Sequence, residues 1–198
     1  MAVVTRGFTG RGRTNPDLPP GQYLTEDFPV LSAGPTPRID LSTWELGVVT
    51  ETGQREAWSW EAFQALPSEE FTTDLHCVTK WSRFDTVWRG VPISRVFDAA
   101  GLKPTASHTL QHAPYAYSTN LPLEDLLRPE CLVATSVDGG PIPAEHGGPV
   151  RTLVPHLYLW KSVKWVTGIQ VLDRDVPGYW EQRGYHDRGD PFAEERYR

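Results

Sequence analysis

Sulfur is scarce in this 198-residue chain: it has two cysteines, Cys77 and Cys131. Two thiols can form at most one disulfide, which excludes a disulfide-stapled scaffold. In a reducing compartment both read as free thiols or metal ligands. The standard metal signatures are missing too, with no CxxC pair, no HExxH and no DxDxDG calcium loop. No GxGxxG or GxxxxGK[ST] stretch occurs, so Rossmann and P-loop nucleotide sites lack their fingerprints. Positive charge is not in surplus: 19 Lys and Arg stand against 25 Asp and Glu, a formal net charge of −6. That balance argues against a nucleic-acid partner, which usually needs a basic face. No apolar run is long enough to span a bilayer. The opening MAVVTRGFTGRGRTNPDLPPG has no apolar h-region, and Gly12 splits Arg11 from Arg13. The sequence is therefore read as cytoplasmic. There is no internal repeat and no long helical period.

Tryptophan and proline, by contrast, are plentiful, with eight and 18 residues. They predict a rigid, loop-rich fold anchored by large aromatic side chains. Residues 1–20 are expected to form a flexible or surface-wrapped arm. Residues 21–198 are expected to form one domain, with about 174–198 as an extended tail in which Tyr179, Trp180 and Phe192 staple the chain to the body. Trp44, Leu46 and Val48 alternate with polar or small neighbours as in a strand. SWEAFQAL (59–66) reads as a short helix capped by Ser59 and stopped by Pro67. VPISRVFDAAG (91–101) reads as a second, with Ser94 as cap and Gly101 as stop. SHTLQH, CLVATSVDGGPIP, VRTLVPHLYLW and VKWVTGIQVLD read as strands, the second running into a turn at Asp138-Gly139, and LPLEDLLRP as a short helix. Many short strands with a few short helices make an α+β, β-rich fold.

Three regions can carry chemistry. In FTTDLHCV, period-2 alternation puts Phe71, Thr73, Leu75 and Cys77 on one face and His76 on the other. Cys77 can be a packed thiol, a metal ligand or a nucleophile. His108 and His112 are four apart, a metal-binding spacing on a helix but not on the strand expected there. EHGGPVRTLVPHLYLWKSVKWVTGI (145–169) gathers His146, Arg151, Lys161 and Lys164 among glycines and aromatics. Gly147 and Gly148 permit close backbone approach to a ligand. Arg151 can hold a phosphate bidentately, Lys161 or Lys164 can add point charge, and Ser162 a neutral donor. A bound organic anion suits this set, and so does a basic strand edge that blocks aggregation.

DLHCVTKWS, LPLEDLL and, above all, HGGPVR followed by VPHLYLWKSVKWVTGIQVLD resemble the molybdenum domain of the sulfite oxidase family, in particular its small bacterial stand-alone members. The resemblance runs from about Phe28 to the C-terminus. It implies the mixed α+β, β-rich molybdopterin-binding fold and an oxidoreductase whose cofactor is molybdenum held by molybdopterin. It also implies that Cys77 supplies a thiolate to molybdenum, a soft ligand for a soft, dithiolene-bound centre. His146 and Arg151 match the family's pterin-phosphate ligands, and Ser162, Val163 and Lys164 its SVK contact. Thr25, Glu26, Asp27 and Phe28 match further cofactor contacts, as does His112, with Ala113 as the alternative. Cys131 lies outside any family motif and is read as core. Trp81 and Trp165 are read as packing, and His76 as structural.

The family's arginine cluster, which grips an oxyanion, is replaced after Cys77 by Lys80, Ser82 and Arg83. Lys80 and Arg83, with Tyr158, are the expected substrate-side residues. The implied reaction is oxygen-atom transfer on a small substrate. The alternatives are reduction of an S-oxide or N-oxide, or a non-catalytic molybdopterin carrier. A separate electron-carrier protein is expected, since the sequence holds no second redox motif. After Asp173 only 25 residues follow, too few for the family's immunoglobulin-like dimerisation domain.

Overall fold

A computed structural model describes residues 17–198; of the arm expected over 1–20, residues 1–16 lie outside the described residues. In chain order the elements are strands β1 (Tyr23–Leu24), β2 (Glu45–Val49) and β3 (Arg55–Ser59), helix α1 (Trp60–Gln64), and strands β4 (Glu69–His76) and β5 (Trp81–Pro92). Helix α2 (Ile93–Ala99), strands β6 (His108–Ala113) and β7 (Tyr117–Pro122), and helix α3 (Leu123–Leu126) follow. Strands β8 (Leu132–Val137), β9 (Gly140–Pro141), β10 (Arg151–Leu153) and β11 (Gly168–Leu172) complete the set.

These strands form two sheets. One runs β3-β2-β11-β6-β7; the other is built on the long β5, which pairs with β1, β4 and β8, and β8 pairs in turn with β9 and β10. The period-2 pattern explains the first sheet. Leu46 and Val48 of β2 and Ile169 and Val171 of β11 are buried at alternate positions, and their outward neighbours are not. The second sheet has its own core of Leu75, Cys77, Trp81, Trp88, Leu132 and Leu153. Burying each large apolar side chain there contributes about 1.5–3 kcal/mol.

Local signals set the short helices. Ser59 caps α1, its hydroxyl accepting from the Ala62 amide. Gly101 ends the α2 region at φ +65. The turn at Asp138 and Gly139 takes φ +49 and +77, the backbone of a tight hairpin turn. Among the described residues, no helix is long and apolar enough to cross a membrane.

Several expectations need correction. Ser94 is not a cap: it lies inside α2, which Pro92 precedes without a side-chain capping bond. The strand expected over 150–160 stops at Leu153, because Pro155 lacks the amide a ladder needs, and residues 159–161 form a 3-10 turn. The strand expected over 163–173 covers only Gly168–Leu172, since Trp165 turns the chain at φ +55. Phe192 stays half exposed, with its edge toward His76 at 5.6 Å. The strict alternation expected around Cys77 is broken by a register shift between Thr73 and Leu75, so Leu75, His76 and Cys77 are all buried.

Candidate active site

Cys77 opens a tight turn between β4 and β5. The Lys80 amide donates to the Cys77 carbonyl at 2.9 Å, and the Cys77 amide to the Trp81 carbonyl at 2.9 Å. Lys80 pays for the closure by taking φ +79, which few residues with a side chain adopt. The Cys77 side chain is 7% exposed. Thr79 Oγ1 donates to its sulfur at 3.1 Å. Burial pushes the thiol pKa up, and the Thr79 bond opposes that shift. His76 faces elsewhere: its Nδ1 is bonded to Ser82 Oγ at 2.9 Å and it is buried as structure.

The opposite wall knits together two stretches that are apart in sequence. Arg151, 2% exposed, donates from Nη1 to the His146 carbonyl at 2.8 Å and from Nη2 to the Ser162 carbonyl at 3.0 Å. Its backbone bridges to Lys164. Ser162 Oγ accepts from the Val154 amide at 2.9 Å. Lys164 Nζ donates to the carbonyls of Leu31 and Glu145 at 2.7 and 2.6 Å. Gly147, at φ +104, and Gly148 serve this construction. A Cβ on Gly147 would lie 2.9 Å from Lys164 Cβ, and one on Gly148 1.9 Å from the Ile142 carbonyl oxygen. These glycines admit the protein's own chain, a correction to their reading as room for a ligand.

The two walls face one cavity of about 290 Å³. Of the residues singled out from sequence, Phe28, Cys77, His146, Arg151, Ser162 and Lys164 line it. Phe28 stacks on the His146 ring at 3.9 Å between centroids. Ala113, weighed against His112, lines it; His112 does not. Thr25, Glu26, Asp27 and Val163 are also off the lining. Thr25 accepts from the Asp27 amide near the surface, and Val163 is fully buried in the core.

The three expected substrate-side residues are not brought to the cavity. Tyr158 is 0% exposed, under the Arg196 guanidinium at 5.1 Å. Lys80 is exposed on the turn. Arg83 pairs with Asp138 at 2.7 Å and stands over the Phe28 ring. Lys161 is likewise withdrawn from any anion site. It is fully buried and donates to Glu181 at 2.6 Å and to the Asn120 carbonyl at 2.7 Å.

Aromatic residues fill the remaining wall. Trp81 and Trp165, read as packing, both line the cavity, with Tyr117 and Trp160 from the body. Tyr179, Trp180 and Tyr185 come from the tail. Their aromatic type was visible in the sequence, but nothing in its spacing brings residues 117, 160 and 185 together.

Charge on the cavity wall is uncompensated. Among the described residues no carboxylate lies within ion-pair distance of Arg151 or Lys164. Burial, then the neighbouring Arg151, pulls Lys164 down to about 8. Burial and then Lys164 push His146 down. Buried cations are normally paired, so this wall is suited to an anion, and the thiol opposite it to a soft metal. The donor set fits a metal-bearing organic anion.

Comparison with known proteins agrees. Residues 33–180 match the oxidoreductase molybdopterin binding domain family. The chain is 42% identical over 192 residues to an uncharacterized oxidoreductase, YuiH, of Bacillus subtilis, covering 96% of this chain and 97% of that protein. It is 30% identical to the protein-methionine-sulfoxide reductase catalytic subunit MsrP of Burkholderia mallei, over 74% of this chain and 49% of the relative. It is 29% identical to the mitochondrial sulfite oxidase of Rattus norvegicus, over 84% and 37%. The chain thus spans half or less of the length of those two relatives. The sulfane dehydrogenase SoxCD of Paracoccus pantotrophus shares its fold, with a TM-score of 0.63 at 19% identity, over 71% of this chain and 41% of that one. A family match over most of the chain, added to a thiol and an unpaired cationic wall around one cavity, makes this protein a member of the sulfite oxidase-like family of molybdopterin-binding oxidoreductases, whose cofactor is molybdenum-molybdopterin.

Proposed function

We propose that the chain catalyses oxygen-atom transfer on a small substrate, with Cys77 as thiolate ligand to molybdenum. One observation carries the reading: the Cys77 thiol, Arg151 and Lys164 line the same cavity from opposite walls. Arg151 and Lys164 would hold the anionic end of molybdopterin, with Ser162 and His146 beside them. The bound cofactor supplies the redox and oxygen-transfer chemistry; the protein supplies ligand, orientation and field. Cys77 must give up its proton to bind a metal. Its buried setting resists this, while the Thr79 hydroxyl and the positive charges of Arg196 and Lys164 favour the thiolate. Aromatic side chains line the cavity beside the sulfur. A separate electron carrier would complete the cycle.

Elemental analysis of natively purified protein tests this reading. About one molybdenum per chain is expected with the pterin, and background metal in Cys77→Ser. Full metal retention in that variant would refute the thiolate role.

A second reading, reduction of an S-oxide or N-oxide, is favoured by one feature. Lys80 and Arg83, the cations expected to grip an oxyanion, stand off the cavity, and aromatic rings line it instead. A neutral substrate with an apolar body suits such a wall better than sulfite. Likeness to a methionine-sulfoxide reductase supports this reading, as likeness to sulfite oxidase supports the first. Oxidation of sulfite with an artificial acceptor, run against reduction of methionine sulfoxide with an artificial donor, decides between them by the larger kcat/KM.

A further inference from the structure

The turn that carries Cys77 is held by two segments remote in sequence. Gln22 Nε2 donates to the Cys77 carbonyl at 3.0 Å, and the Tyr23 amide donates to the Lys80 carbonyl at 2.8 Å. From the other end of the chain, Arg196 Nη1 donates to the Val78 carbonyl at 2.8 Å and Nη2 to the Pro20 carbonyl at 3.1 Å. One guanidinium thus joins the tail to the residue after Cys77 and to the segment that presents Gln22. Arg196 is itself anchored. Its carbonyl accepts from the His186 amide at 3.2 Å, the adjacent Tyr197 bridges to Tyr185, and its guanidinium covers the Tyr158 ring. The tail is anchored in turn by the buried Lys161–Glu181 pair and by Gly189, whose carbonyl accepts from the Tyr158 amide at 2.8 Å. Residue 196 lies beyond the 33–180 stretch that matches the family.

The held turn is a strained one. Lys80 at φ +79 has a backbone conformation that side chains disfavour, and such a residue persists only where its surroundings fix it. Within the turn itself, the closing bonds are those of Cys77 with Lys80 and Trp81. The bonds from Arg196, Gln22 and Tyr23 supply the outside restraint.

We propose that Arg196, assisted by Gln22, is a positioning residue that fixes the Cys77 turn so that the sulfur stays aimed into the cavity. Through it, the C-terminal tail becomes part of the metal-site framework. This rests on the reading of Cys77 as the molybdenum thiolate. A lysine in its place keeps the charge but cannot span both carbonyls with one planar fork.

The test uses full-length, natively purified protein, the wild-type holoprotein beside Arg196→Lys, Gln22→Leu, Arg198→Met and Cys77→Ser. Two quantities are read besides activity: the sulfur-to-metal charge-transfer absorption, and the rate of Cys77 alkylation by iodoacetamide, located by peptide mass so that Cys131 serves as internal reference. In Arg196→Lys the absorption is expected to shift and Cys77 alkylation to rise about tenfold, as expected for losing a charged hydrogen bond. Gln22→Leu should move both in the same direction by less. Arg198→Met, in the same tail but paired with Asp187, should match the wild type. The inference is overturned if Arg196→Lys and Gln22→Leu both match the wild type, or if Arg198→Met moves the signals as far as Arg196→Lys. Retention of the charge-transfer band in Cys77→Ser would instead refute the thiolate reading.

Discussion

Lys161 and Lys164 stand three residues apart on one turn of chain, yet they belong to different parts of the molecule. Lys161 is sealed behind the cavity, with the Glu181 carboxylate, Asn120 and the Asp187 carbonyl around its ammonium. Lys164 stands at the cavity wall bonded only to carbonyl oxygens, beside Arg151, which also lacks a carboxylate among the described residues. The first arrangement satisfies a buried charge internally and so belongs to the fold. The second leaves positive charge for something the chain does not provide. From sequence both lysines looked equally fit for a phosphate; the pairing of each, not its type, separates cavity wall from framework.

The contrast can be broken by experiment, starting with the largest effect. On the cavity side, Cys77→Ser should remove molybdenum and activity together, by more than the roughly 10–100-fold typical of losing a ligand's supporting partner. Its thermal midpoint without metal should stay near that of metal-free wild type. On the sealed side, Glu181→Ala should strand the Lys161 charge and cost about 3–5 kcal/mol of stability, read by denaturant unfolding. If Glu181→Ala is silent in unfolding, the sealed pair is not structural and the contrast fails.

Lys164→Met should weaken retention of the cofactor, by about tenfold for one lost charged contact. Retained cofactor is measured after gel filtration at moderate salt. The same lysine predicts a pH dependence. Its folded pKa, about 8, lies below its ordinary value of 10.5. Below about pH 8 the folded chain carries a desolvated, repelled ammonium, a cost that is fully present there. Between the two values the unfolded chain binds more protons, so this group's contribution to stability rises with pH across that window. Binding of inorganic pyrophosphate to metal-free protein should fall as pH rises through the same lower value. Lys164→Met should flatten the pyrophosphate trend, and Lys161→Met, which stands off the cavity, should leave it unchanged. The smallest change expected is for Arg83→Gln. Its half-exposed pair with Asp138 is worth under about 1 kcal/mol, and kcat/KM should stay near the wild-type value because the side chain does not line the cavity.

Much of the plan was legible in the sequence. Alternation marked β2, Ser59 marked the start of α1, and Asp138-Gly139 marked the hairpin. The HGGPVR and SVK blocks pointed to the stretches that Arg151 joins, and Cys77 stood out against Cys131, which is fully buried and donates to the Asp125 carbonyl at 3.3 Å. Less legible was what depends on side-chain direction after a bend. Tyr158 and Lys80 lie close in sequence to cavity residues, but a 3-10 turn buries the first and a left-handed turn exposes the second. Trp165 was read as bulk because bulk is what tryptophan usually supplies; it takes φ +55 and lines the cavity.

By itself the sequence determined the β-rich class and the family, because hydrophobic period, turn residues and motif order are local properties written along the chain. Only the tertiary structure decided which cation pairs with a carboxylate and which faces the cavity, and that residues 22 and 196 meet at the Cys77 turn. Charge pairing and hydrogen bonding act over a few ångströms in space, and sequence separations of 55 and 118 residues carry no record of that distance.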